Sequence, residues 1–336
     1  MIQIEVPFIF SSNNYFVPYM SVMFASILEH MNPNNKYHII ILHKDISLEY
    51  QYMLEKQIEQ KHNFSIRFID VSEQVSQYSF YTANRMFFTM EAYYRLLAPF
   101  LLPEYDKAIY MDGDMVALKD VGLLNTIDLG TCLVGAVRDF CGLSDLYDAK
   151  SDRKAYMHET LALKHSDDYY ISGLLIMNLK EFRRKFTLDQ IMELATSRDW
   201  KYHDQDILNI LTEQNTLLID ARWNVLQDYG MHHLMPAKYY GEWKQSQKDP
   251  FIIHFGGDAK PWRFPRVPHS NLFWEYARKT PFYDIIIKRR KEELSNNSLY
   301  RLKYYLQYLF PLGSKSRIIV KSLTKPIWRL IKERYQ

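Results

Sequence analysis

Cysteine is nearly absent: Cys132 and Cys141 are the only two in 336 residues. That is too few for a disulfide-built secreted scaffold, and it fits a reducing compartment. The pair also lacks the Cys-x-x-Cys spacing of a thiolate zinc site. Gly-x-Gly-x-x-Gly, the P-loop, His-Glu-x-x-His and Gly-x-Ser-x-Gly are all missing, which removes the simplest dinucleotide, NTPase, zinc-protease and serine-hydrolase readings. No run of roughly 18 apolar residues exists, so no membrane-spanning helix is expected. The opening MIQIEVPFIF carries Glu5 and no basic stretch, so it does not read as a signal peptide. Internal repeats and low-complexity segments are lacking too.

Net charge is also small, at +3, but it is unevenly placed. Residues 285–336 hold 13 Lys/Arg and 3 acids, a balance of +10, against −7 for residues 1–284. Basic residues confined to a tail argue against a folded nucleic-acid patch and for contact with an anionic surface. With 47% hydrophobic and 24% charged residues the body is an ordinary globular chain. At roughly 100–200 residues per domain, its length suggests about two units. We expect a catalytic or binding body over residues 1–270 and a basic, aromatic-rich helical tail over 271–336.

The first half alternates strand and helix patterns. Val6–Phe10, Tyr37–Leu42, Phe64–Ile69 and Lys107–Met111 read as strands. Met20, Met23, Phe24, Ile27, Leu28 and Met31 mark one face of an amphipathic helix. Leu48–Lys61 and Glu91–Pro99 read as further helices. Cys132–Val137, Leu174–Leu179, Leu217–Asp220 and Phe251–His254 continue the strand series, with a helix over Asp204–Glu213. Such alternation predicts an α/β fold with a mainly parallel, helix-covered sheet, whose ligands bind beyond the carboxyl ends of the strands. Two polar clusters fall at such ends, Ser11–Asn14 and Asp112–Asp114. In the tail, Leu299, Leu302, Leu306 and Leu309 form one helical stripe, and Ile318–Glu333 resumes it.

Asp112-x-Asp114 closes an apolar strand, and period-two spacing sends both carboxylates to one side. Hard oxygen ligands so placed suit Mg²⁺ or Mn²⁺. A second pair, Asp204-x-Asp206, shows that the pattern alone is weak, and a solvated turn is the competing reading. His254 follows Phe251–Ile253 and precedes Gly256-Gly257; it is either a further ligand or a structural histidine in a turn. An imidazole nitrogen would favour Mn²⁺ over Mg²⁺. Gly257 lets backbone approach a phosphate closely, and Lys260 can supply it a cation. Asp204 and Gln205 open a helix, either as ordinary capping or facing a polar ligand. Arg95 lies in an aromatic segment, as a surface residue or as a diphosphate clamp.

Taken in order, Ser11–Tyr15, Glu91–Leu97, Tyr110–Asp114, Gly135–Phe140, Ile171–Leu179, Tyr202–Asn209 and His254–Trp262 resemble glycosyltransferase family 8. The resemblance is greatest to bacterial members that add galactose or glucose to lipopolysaccharide-type acceptors. It runs from Phe8 to about Trp262. It implies a Rossmann-like GT-A fold and retaining transfer from a UDP-sugar, with Mn²⁺ held by Asp112, Asp114 and His254. Asn14 would contact the nucleoside, Asp112 also the ribose, and Gly257 and Lys260 the diphosphate. Arg95, Asp139 and Asp204 would orient the donor sugar, and Gln205 would sit near the anomeric carbon. The family often has Asp where Ser12 stands and Asn where Ile171 stands. Serine keeps one uncharged hydrogen bond to the base, whereas isoleucine keeps none.

An amide such as Gln205 is a poor nucleophile, so front-side attack is expected, with Asp139 or Asp204 as a covalent nucleophile the rival. The tail is expected to hold the enzyme on the inner face of the cell membrane, near a lipid-linked acceptor. Two other readings remain: a sugar-nucleotide or carbohydrate-binding module on a degenerate transferase scaffold, and nucleotidyl transfer to a sugar phosphate.

Overall fold

Ten strands organise the described residues, 4–81, 89–227, 234–311, 314–317 and 319, of the computed structural model. They are β1 (Glu5–Ser11), β2 (Lys36–His43), β3 (Phe64–Asp70), β4 (Ala108–Met111), β5 (Met115–Ala117), β6 (Val134–Arg138), β7 (Tyr170–Met177), β8 (Thr216–Leu218), β9 (Val225–Leu226) and β10 (Ile252–His254). Seven form one sheet in the order β3-β2-β1-β4-β7-β6-β8. All its pairings are parallel except those of β7, which is antiparallel to β4 and β6. This is a mixed α/β fold with a mainly parallel sheet, as the alternating pattern predicts.

Strand order decides where a ligand can bind. From β1 the chain runs outward through β2 to β3, then returns to place β4 on the other side of β1. The order reverses at that point, and a crevice opens beyond the carboxyl ends of β1 and β4. Both polar clusters sit there. Because β7 runs the other way, it is its amino end that lies beside the carboxyl end of β4. Met111 pairs with Leu174, and the Asp112 N–H donates to the Gly173 carbonyl at 2.8 Å. β7 starts at Tyr170, four residues before the apolar run Leu174–Leu179 suggests, and this brings Tyr170–Gly173 to the crevice.

A small second sheet, β5-β10-β9, joins the expected strand Phe251–His254, here β10, to two strands the sequence does not suggest, β5 of three residues and β9 of two. It has a large effect. β5 begins directly after Asp114 and pairs antiparallel with β10, matching Met115 with His254. The Phe255 N–H then bonds the Asp114 carbonyl at 2.9 Å. This pairing is what carries His254 across the chain to the two aspartates.

Helix α1 (Val17–His30) departs from the one-faced pattern read from sequence. It is buried continuously from Val17 to Ile27. The face of Met20, Met23, Phe24 and Ile27 packs on the main sheet. The reverse face, Tyr19, Val22 and Ala25, packs on Val116, Ile253, Trp262, Phe273 and Tyr276. A helix covered on both sides needs no polar stripe. Its buried hydroxyls are satisfied locally, Ser21 by the Pro18 carbonyl at 2.8 Å and Ser26 by that of Met23 at 2.7 Å. The segment Ser270–Ala277 is helical and packs into this second cluster through Phe273, Tyr276 and Ala277. Two further helices follow, Tyr283–Asn296 and Ser298–Leu309. The helix expected over Ile318–Glu333 lies, Ile319 apart, outside the described residues.

Phe24 is fully buried and meets Phe10 edge-on at 4.9 Å. Phe24→Ala will cost about 3–5 kcal/mol. Leu48→Ala, at a position 82% exposed, will stay within about 0.5 kcal/mol of wild type. Urea unfolding midpoints at unchanged slope check both.

Candidate active site

Asp112, Asp114 and His254 each present a ligand atom, and these lie within 4.8 Å of one another. His254 Nε2 stands 3.3 Å from Asp114 Oδ1 and 3.9 Å from Asp112 Oδ2. Its other nitrogen, Nδ1, is 2.9 Å from the Asn224 amide oxygen. An amide oxygen only accepts, so Nδ1 carries a hydrogen toward Asn224 and Nε2 is the atom that faces the carboxylates. Gly173 makes room for the cluster. A Cβ there would lie 2.5 Å from His254 Cε1 and 2.8 Å from Asp112 Oδ2. Two carboxylates, one oriented imidazole and a wall without a side chain suit a divalent ion that accepts oxygen and nitrogen together.

Positive charge closes the cluster. The Lys260 ammonium pairs with Asp114 Oδ2 and bonds the Phe255 carbonyl at 2.8 Å. Burial alone would raise the Asp114 carboxyl; Lys260 and His254 outweigh it and hold it well below the usual carboxylate range. Arg95 is 3% exposed, which excludes the surface reading. Its Nη2 donates to Asp112 Oδ1 at 2.8 Å, Nη1 to the Ser172 carbonyl, and Nε lies 3.2 Å from Asp204 Oδ2. The guanidinium also stacks on Tyr110 at 4.0 Å, and Tyr110 donates its hydroxyl to Asp112 at 3.0 Å. Asp204 shares Arg95 with Asp112. Burial therefore dominates and, with Asp112 adding repulsion, pushes Asp204 up to about 6 against the pull of Arg95.

The cleft over this cluster is lined by Ser12, Asn13, Tyr15, Phe16, Glu91, Arg95, Asp112, Asp114, Gly257, Lys260, Trp262 and Arg263, among others. The glycosyl transferase family 8 model matches residues 7–265, the whole segment that builds it. The chain belongs to glycosyl transferase family 8. An Escherichia coli K12 lipopolysaccharide 1,2-glucosyltransferase is 26% identical over 191 residues, covering 54% of this chain and 53% of that protein. The apo bifunctional glycosyltransferase WbbM superposes with TM-score 0.79 at 25% identity, over 87% of this chain and 52% of WbbM. The chain thus spans about half the length of both. The galactosyltransferase LgtC, solved with donor and acceptor sugar analogues, shares the GT-A fold. Its TM-score is 0.67 at 19% identity, over 82% of this chain and 96% of LgtC.

Within this family 8 chain the remaining expected residues sit as follows. Gln205 accepts from the Ser172 N–H at 3.1 Å and donates to Asp139 Oδ2 at 3.2 Å, so both ends of its amide are tied. Asp139 caps the helix Phe140–Leu146 by accepting from the Gly142 N–H at 2.9 Å. Gly257 has φ of +73°, a conformation that favours glycine. Ser12 lines the cleft while almost fully buried, and Ile171 is buried in β7. Asn14 is not among the lining residues. Its amide oxygen accepts from the Ser47 N–H at 3.0 Å, and its neighbours Asn13 and Tyr15 face the cleft instead.

Several functional neighbours escape sequence reasoning. Asn224 has no local signature, and only the β9–β10 pairing places it beside His254. Arg153 is 1% exposed, stacked on Tyr202 at 3.8 Å and Tyr169 at 4.7 Å, with Nη2 3.6 Å from Asp139. It braces the aspartate that braces Gln205. Asp206, second of the other Asp-x-Asp pair, is structural: it accepts from the Tyr156 and Tyr169 hydroxyls at 2.6 Å each.

The raised Asp204 makes a pH prediction. The folded chain holds that proton more tightly than the unfolded one, whose carboxyl titrates near 3.8. Its stabilising contribution is complete below about pH 4 and fades as pH rises toward 6. The unfolding free energy of wild type minus that of Asp204→Asn will therefore fall across this window and level off above it. Denaturant titrations at stepped pH check the sign.

Proposed function

We propose that this chain is a metal-dependent retaining hexosyltransferase. It moves galactose or glucose from a UDP-sugar to a glycan acceptor of lipopolysaccharide or another cell-surface polysaccharide. The observation that carries the proposal is the convergence of Asp112, Asp114 and His254, flanked by Lys260 and Arg95, at the strand-order reversal. The activities of the similar lipopolysaccharide glucosyltransferase and galactosyltransferase support the hexose and acceptor class. Mn²⁺ held by Asp112, Asp114 and His254 would supply Lewis-acid neutralisation of the departing diphosphate.

The chain's own residues do the rest. Lys260 keeps a second positive charge at the cleft wall, within reach of an anionic oxygen. Gly257, lacking a Cβ and free to take positive φ, allows backbone N–H groups close to phosphate. Ser12 offers the base an uncharged hydrogen bond, and Asn14 anchors the loop that carries Tyr15. Arg95 fixes Asp112 and Asp204 relative to each other, which holds the sugar side of the site in place.

The bond from the acceptor oxygen to the anomeric carbon forms on the face from which the diphosphate oxygen leaves. The hydroxyl proton passes to that oxygen, and UDP departs. Front-side attack suits this site because every candidate nucleophile is engaged. Gln205 is an amide tied at both ends, Asp139 caps a helix, and Asp204 is buried against Arg95. Attachment to an anionic inner-membrane surface is the proposed role of the tail. Helix Ser298–Leu309 leaves Leu299, Leu302, Leu306 and Leu309 exposed beside basic residues.

UDP release from UDP-glucose, UDP-galactose and their N-acetyl forms, with and without Mn²⁺, tests the proposal. One donor will turn over only with metal, and Asp114→Ala will abolish it. Asn224→Ala will weaken Mn²⁺ binding about 10–100-fold by freeing the imidazole. Absence of Mn²⁺-dependent UDP binding would favour the degenerate binding module.

A further inference from the structure

Two cleft-lining residues from different loops are held by one C-terminal helix. Tyr15 follows β1, and Arg263 follows β10; both line the cleft. On helix Tyr283–Asn296, Arg289 lays its guanidinium over the Tyr15 ring at 4.6 Å and donates Nη1 to the Tyr15 carbonyl. Glu293, four residues on and so on the same helix face, places Oε2 3.5 Å from Arg263 Nε. The next helix adds Tyr300, whose hydroxyl donates to the Arg263 carbonyl and whose ring lies 5.1 Å from the guanidinium. Tyr15 is 49% exposed, so burial alone does not hold its ring. These contacts give part of the basic tail a second role beside surface attachment.

We infer that helix Tyr283–Asn296 belongs to the donor site, with Arg289 and Glu293 acting as positioning residues that set Tyr15 and Arg263 for a nucleoside diphosphate. Neither residue touches the reacting atoms. Their effect is on affinity, because a loose Tyr15 or Arg263 must be ordered again each time a ligand binds. The inference rests on the donor reading of the cleft.

Calorimetry of UDP with Mn²⁺ on the full chain tests it, together with steady-state kinetics on the donor that wild type turns over. Arg289→Ala will bind UDP about fivefold more weakly, the size of one exposed cation–π contact. Its donor KM will rise by a similar factor while kcat stays near wild type. Arg289→Lys will recover part of the loss by keeping a cation over the ring. Glu293→Gln, which keeps the helix and removes the pairing charge, will also weaken UDP. Lys288→Ala removes the same charge from an exposed neighbour and will bind like wild type. Wild-type affinity in both Arg289→Ala and Glu293→Gln overturns the inference and leaves the donor reading standing. Equal weakening in Lys288→Ala also overturns it, since the effect is then general charge attraction. A wild-type chain that binds no UDP with Mn²⁺ overturns both.

Discussion

Asp112, Asp114 and Asp204 gather beyond the carboxyl end of the central strand β4, largely withdrawn from water, and their mutual repulsion has to be balanced on the spot. Arg95 balances two of them at once, from a side chain only 4% exposed. Lys260 balances the third, and His254 Nε2 stands 3.3 Å from the same carboxylate. A buried arginine between two carboxylates is costly to break, because removing either partner leaves an uncompensated charge. The geometry around it is correspondingly tight. Gly173 has no space for a Cβ, and Gly113 would set one 2.9 Å from Met20 Cβ on α1. The cleft is thus fixed from below by charge pairs and from behind by the packed helix.

Much of this was readable in the sequence, and for identifiable reasons. Strands β1, β2 and β4 have enough consecutive apolar residues to mark themselves, β3 alternates apolar with polar ones, and Asp112-x-Asp114 sits at the end of β4. The charge asymmetry marked the tail without any structural knowledge. The ordered motifs pointed to the family, which the match over residues 7–265 bears out. What stayed hidden depends on pairing between distant short segments. β5 and β9 are too brief to leave a pattern, yet β10 between them aligns Met115 with His254 and brings Asn224 to its ring. Burial of α1 on both faces was unreadable because its second set of partners is distant in sequence, Val116 on β5 and the residues from Ile253 to Tyr276 more than 200 positions away. Arg95 read most simply as a surface residue, since nothing local reveals that Asp204 shares it. Asn14 also holds the Ser47 N–H, a contact no local signal reveals.

The Gln205 side of the site has its own chain of support. Arg153, stacked between two tyrosines, stands behind Asp139, which holds the Gln205 amide, whose oxygen takes the Ser172 N–H. Ser172 also gives its carbonyl to Arg95. One short stretch at the start of β7 therefore links the metal-side charges to the proposed sugar-side amide. Ile171, buried in β7, sits in that same stretch.

The account stands on a divalent ion held jointly by Asp112, Asp114 and His254 and felt by the diphosphate. Electron paramagnetic resonance of Mn²⁺ titrated into the full chain, with and without UDP, tests that directly. The account predicts bound Mn²⁺ whose affinity rises with UDP and is lost in His254→Ala. Mn²⁺ binding that ignores UDP and persists unchanged in His254→Ala would contradict it.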